Sequence, residues 1–112
     1  MTGLGGPDPL GELAEGIARA ALAVPGVAAL SGGAFGAVAT SLPGRRVVGV
    51  ALRETSGEVA FVGELGYDLR AVAERVRASA EELAGRPIDV VVADLQAPGD
   101  RTVGEHTESD ER

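Results

Sequence analysis

The chain has 112 residues, no cysteine, and 17 acidic residues against 10 arginines with no lysine, a formal charge of -7. That length suits one domain with a single core, and the missing thiols exclude a disulfide framework, a thiolate metal site and a cysteine nucleophile. An acidic surface repels phosphate backbones, so no nucleic-acid partner is expected, and with only Phe35, Phe61 and Tyr67 as aromatics there is no stacking platform for bases or sugars.

In chain order, residues 1–8 form a Gly-rich, flexible lead, without the basic and apolar runs of an export signal. Asp8-Pro9 is a helix start, a capping carboxylate followed by proline at the first helical position. Leu10, Leu13, Ile17, Ala21 and Val24 recur at steps of three and four and predict an amphipathic helix that Pro25-Gly26 ends. No charge lies between Arg19 and Arg45, long enough for a membrane span, but Pro25, Gly26, Gly32, Gly33, Gly36 and Pro43 break that interval and argue against one.

Val27–Leu30 and Phe35–Thr40 read as two short strands forming a hairpin across Ser31-Gly32-Gly33. Leu42-Pro43-Gly44 is a further turn. Val47–Glu54 and Glu58–Leu65 alternate apolar and polar residues about Thr55-Ser56-Gly57, a second hairpin. Asp68 caps a second helix whose apolar stripe is Leu69, Val72, Ala73, Val76, Ala80 and Leu83; Gly85 and Pro87 end it. Ile88–Leu95 follows as a strand apolar on both faces at Val90-Val91-Val92-Ala93, the pattern of a strand with neighbours on either side and a helix above. The order is α-β-β-β-β-α-β: an α+β fold with a small mixed β-sheet and two α-helices packed on one face. The domain spans residues 9–97, and residues 98–112 form an acidic tail expected to be disordered.

Reactive constellations are scarce. His106 stands alone in the tail, without a positioned nucleophile or orienting partner, and Glu105, Glu108, Asp110 and Glu111 lack the spacing of a calcium loop. Gly32-Gly33-Ala34-Phe35-Gly36 lacks the lysine and hydroxyl of a phosphate loop and reads as a turn. Glu81 and Glu82 point about a hundred degrees apart on a helix and cannot share a site. Arg45-Arg46 is a two-residue basic spot in a turn. Arg70, Glu74, Arg77 and Glu81 form a candidate partner-docking stripe, although intrahelical pairing is the favoured account of them. The expectation is a non-enzymatic protein without cofactor or metal; the alternative is a small-molecule-binding module with a pocket between the second helix and the sheet.

Leu65-Gly66, Asp68-Leu69, Val72-Ala73, Val76, Leu83, Gly85 and Val90–Val92 together resemble the signature half of the alkaline shock protein 23 family of bacterial envelope stress response proteins. Upstream, Ala18–Leu30 with Val24-Pro25-Gly26-Val27 is similar to that family's first helix and the start of its sheet. The resemblance implies a cytoplasmic scaffold, peripheral at the inner face of the cell membrane, that self-associates as a homo-oligomer or with paralogues. It also implies docking on a small membrane-anchor protein, and brings no catalytic residues with it.

Overall fold

The structure, a computed structural model, describes residues 8–97. Its elements are α1 (Pro9–Leu22), β1 (Val27–Leu30), β2 (Ala39–Leu42), β3 (Arg45–Val48), β4 (Val50–Leu52), β5 (Gly57–Glu64), α2 (Leu69–Ala84) and β6 (Ile88–Gln96). The fold is α+β, with the expected order of elements; the expected third strand is divided in two at Gly49. No described helix is long and apolar enough to cross a membrane. The tail with His106, Glu105, Glu108, Asp110 and Glu111 lies outside the described residues, as does the lead before Asp8.

Both helices begin as their sequences dictate. Asp8 Oδ1 accepts the Gly11 N–H at 3.1 Å and Asp68 Oδ1 accepts the Ala71 N–H at 3.2 Å, each satisfying one free amide of a first turn. Gly85 closes α2 in the left-handed conformation.

β5 is the spine of the main sheet. One of its edges carries two short antiparallel strands end to end: β4 beside Gly57–Val59 and β1 beside Phe61–Gly63. Its other edge carries β6, parallel, in register from Gly57 opposite Ile88 to Glu64 opposite Gln96, with a bulge near Ala93. Parallel pairing follows from the connection, because a helix between two strands returns the chain to the same end of the sheet.

The helices cover one face. Ala14, Ile17 and Ala21 of α1 and Val72, Val76 and Ala80 of α2 enclose Val50, Val59, Phe61 and Ile88. The core is aliphatic apart from Phe61. On the opposite face Val38 covers Ala51 and Ala60 in a small second cluster.

Three expectations are corrected. The hairpin of Val27–Leu30 with Phe35–Thr40 does not form: β1 pairs with β5, and β2 pairs with β3 around Pro43-Gly44. Phe35 lies outside both strands and is 96% exposed. The apolar stripe of α2 ends on Ala84 rather than Leu83, which is 49% exposed; core contacts at Val72, Val76 and Ala80 recur every four residues and lead to Ala84. In α1, Leu10 is likewise exposed, while Gly11 and Ala14 face inward.

Gly49 is where one strand segment changes sheets. Its N–H bonds the Val38 carbonyl at 2.8 Å and its carbonyl accepts the Ala60 N–H at 3.0 Å. Its φ is +94°, and a Cβ there would lie 2.6 Å from Leu30 Cβ, so only glycine turns this corner. Thr40, buried at the same junction, donates its hydroxyl to the Val50 carbonyl at 2.6 Å and accepts the Leu52 N–H at 3.1 Å. That one side chain links the β2–β3 ribbon to β4.

Candidate interaction site

β6 is an edge strand, which the sequence did not suggest. Its double-sided apolar run was expected to have a neighbour on each side; β5 lies on one side and none of the described strands on the other. Pro87 C=O accepts the Gly57 N–H and Gln96 C=O accepts the Leu65 N–H. By the alternation of a strand, Asp89 and Val91 also turn their backbone groups toward β5, while Ile88, Val90 and Val92 turn theirs outward.

The two ends of this edge are closed by side chains. Glu81 Oε2 accepts the Ile88 N–H at 2.9 Å, and Asp94 Oδ1 accepts the Leu95 N–H at 2.8 Å. Between them the N–H and C=O groups of Val90 and Val92 face out. Side chains at Val90 and Val92 pack toward the helices; Val91 points to the uncovered face and is 41% exposed. Natural edges are usually blunted with lysine, proline or an inward charge. Residues 90–92 have none of these; a bulge, a further such device, follows them at Ala93.

α2 lies over β6 and shows its charged flank along the same edge. Arg77 and Glu81 line a solvent-open cleft of about 580 Å³ with Asp89, Val90 and Val91. Arg77 donates to Glu74 Oε2 at 2.6 Å, the intrahelical pairing foreseen for this stripe. Arg70 is exposed at its N-terminal end. The structure thus brings Arg77 and Glu81 of the stripe beside β6 and gives Glu81 a second task that its spacing did not reveal. The signal for an edge was the stripe itself: a helix flank rich in both charge signs does not sit against a buried neighbour.

A second cleft of about 530 Å³ lies on the uncovered sheet face, among Ser31, Ala34, Val38, Ala60 and Val91, with Glu58 and Asp94 beside them. Neither cleft has the enclosed apolar walls with converging polar groups that fix a small molecule. Among the described residues no group of three or more histidine, cysteine, aspartate or glutamate side chains is arranged to hold a metal.

The Arg45-Arg46 spot is absorbed by local structure. Arg45 pairs with Asp8 at 3.2 Å and with Glu15, tying the β2–β3 ribbon to α1. The hydrogen bond that Arg45 donates to Asp8, aided by Glu15, raises the Arg45 pKa above its already high value. Arg46 donates to the Gly36 carbonyl at 2.5 Å. The glycine-rich segment before it is a turn closed by the Gly36 N–H on the Gly33 carbonyl at 3.3 Å.

No protein-family model matches this chain, and no curated protein matches it. Two solved structures resemble it: the MamM CTD carrying a Trp-to-Ala substitution, and the zinc form of the MamM CTD carrying an Asp-to-Asn substitution. Each is 16% identical with a TM-score of 0.46; the first alignment covers 91% of this chain and 92% of the other, the second 88% and 93%. A likeness at that level assigns this chain no role.

Proposed function

We propose that this protein is a non-enzymatic scaffold that self-associates and docks on partner proteins through α2 and the edge of the sheet. The observation that carries this reading is β6: a nine-residue strand whose middle exposes backbone donors and acceptors, an apolar side chain at Val91, and a mixed-charge helix flank alongside. Surfaces of that make-up bind other polypeptides by extending the sheet, with main-chain bonds giving affinity and flanking side chains giving selectivity. Catalysis would need titratable groups converging in a cleft. Arg45, whose pKa its acidic partners raise, sits in an exposed structural ion pair rather than in a cleft.

The cellular role we infer from the resemblance to the alkaline shock protein 23 family is envelope stress response, on the cytoplasmic side of the membrane, with a small membrane-anchor protein as docking partner. The spacing from Leu65-Gly66 through Gly85 to Val90–Val92 supports that reading, as does the order of elements. Sedimentation over a range of protein concentrations tests the scaffold reading. A sedimentation coefficient that rises with concentration is the expected result, and a monomer at every concentration contradicts it.

A further inference from the structure

We infer that the self-association partner of β6 is β6 of a second copy, antiparallel about a two-fold axis at Val91. This rests on the self-association proposed above and specifies its geometry. Two independent features of one edge lead to the same axis.

The first is the strand. Among the described residues, Val90 and Val92 present backbone groups without a partner in the middle of the edge, since Glu81 occupies the Ile88 N–H and Asp94 the Leu95 N–H. An antiparallel copy bonds both residues only if Val90 meets Val92 of the partner subunit, so that each exchanges N–H and C=O with the other. Val91 then meets its own counterpart across the axis, and the regular ladder ends on either side of it at the bulge near Ala93. The apolar Val91 side chains come together on the uncovered face.

The second is the helix flank. Arg70, Glu74, Arg77 and Glu81 alternate in sign, and read from the opposite end they run Glu, Arg, Glu, Arg. A second copy laid antiparallel therefore puts Arg77 opposite Glu74 of the partner subunit and Arg70 opposite Glu81 of the partner subunit. The midpoint of that stripe falls about 8 Å from Glu81 along the helix at ~1.5 Å per residue. Glu81 is bonded to Ile88, and Val91 lies about 10 Å from Ile88 along the strand at ~3.3 Å per residue. Since α2 runs back along β6, the charge midpoint and the strand midpoint fall near the same level of the edge. An edge with no such relation between its strand and its helix would match only one of them.

The interface is isologous, each patch meeting itself, as a closed dimer requires. It joins the two main sheets into one and removes the unprotected edge from solvent.

The chain lacks cysteine, so a single introduced thiol reports the register. In a non-hydrogen-bonded antiparallel pair the Cα atoms are ~4.5 Å apart, inside the range that a disulfide spans. Val91→Cys is expected to form a disulfide-linked dimer under mild oxidation. Asp89→Cys, about 13 Å from its counterpart at ~3.3 Å per residue, is expected to stay unlinked. Arg77→Glu should weaken self-association about tenfold by setting like charges across the axis, and the exchanged pair Glu74→Arg with Arg77→Glu should restore it. If wild-type protein sediments as a dimer while Val91→Cys stays unlinked and Arg77→Glu is without effect, the β6 pairing is overturned and self-association stands on another surface. If wild-type protein is monomeric at all concentrations, the scaffold reading falls with it.

Discussion

Glu81 Oε2 accepts the backbone N–H of Ile88 at 2.9 Å, tying the last turns of α2 to the first residue of β6. Six residues of chain lie between acceptor and donor, among them the Gly85 stop and Pro87. Glu81→Ala leaves the Ile88 amide to find water at a half-buried site and is expected to cost about 1–2 kcal/mol. Glu81→Gln keeps an oxygen acceptor and should lose less than half of that. Chemical denaturation of the two variants, compared at equal slope, separates them.

Thr40 is the buried polar residue that joins the β2–β3 ribbon to β4. Thr40→Val keeps the shape, yet strands the Leu52 amide and the Val50 carbonyl, which should cost about 1–3 kcal/mol. Thr40→Ser retains the hydroxyl and is expected to recover most of the loss. Thermal melts of both variants measure the difference.

Positive-φ glycines divide by what surrounds them. Gly49→Ala meets Leu30 Cβ as well as an unfavourable backbone, and should lower stability by about 3 kcal/mol or more. Gly66 has φ +101° and nothing within 4 Å of an added Cβ, so Gly66→Ala should cost only about 1 kcal/mol. Equal losses at the two sites would contradict the account of Gly49 as a corner.

The core itself predicts a sharper outcome. Val76 is fully buried between α2 and the sheet, and Val76→Asp places an unpaired charge there, which should unfold the domain. Leu83→Asp, on the exposed side of the same helix, should leave the melt nearly unchanged. Circular dichroism of the pair distinguishes the observed helix face from one that includes Leu83.

Local sequence signals gave the helices and the β4–β5 hairpin. Asp8 and Asp68 announced their caps, Gly85-Pro87 announced a stop, and the alternation about Thr55-Ser56-Gly57 announced antiparallel pairing. What local signals could not give was which strand lies beside which. Val27–Leu30 pairs with residues more than thirty positions away, a choice made by sheet closure rather than by the neighbouring turn. The division at Gly49 was equally hidden, because a glycine between two valines reads as a continuous strand until Leu30 is seen beside it. For the candidate site, the stripe Arg70, Glu74, Arg77 and Glu81 was legible at helical spacing. Its position beside an open strand was not, since Val90-Val91-Val92 has the composition of an interior strand. An interior composition on an edge is itself the reason to expect a partner there.

Amide hydrogen exchange at Val90 and Val92, followed across a range of protein concentration, tests the edge-pairing claim most directly. Both amides should become more protected as concentration rises, in step with dimer formation, while exposed amides elsewhere keep their rates. Rates at Val90 and Val92 that stay fast and independent of concentration, in a sample that has dimerised, would contradict it.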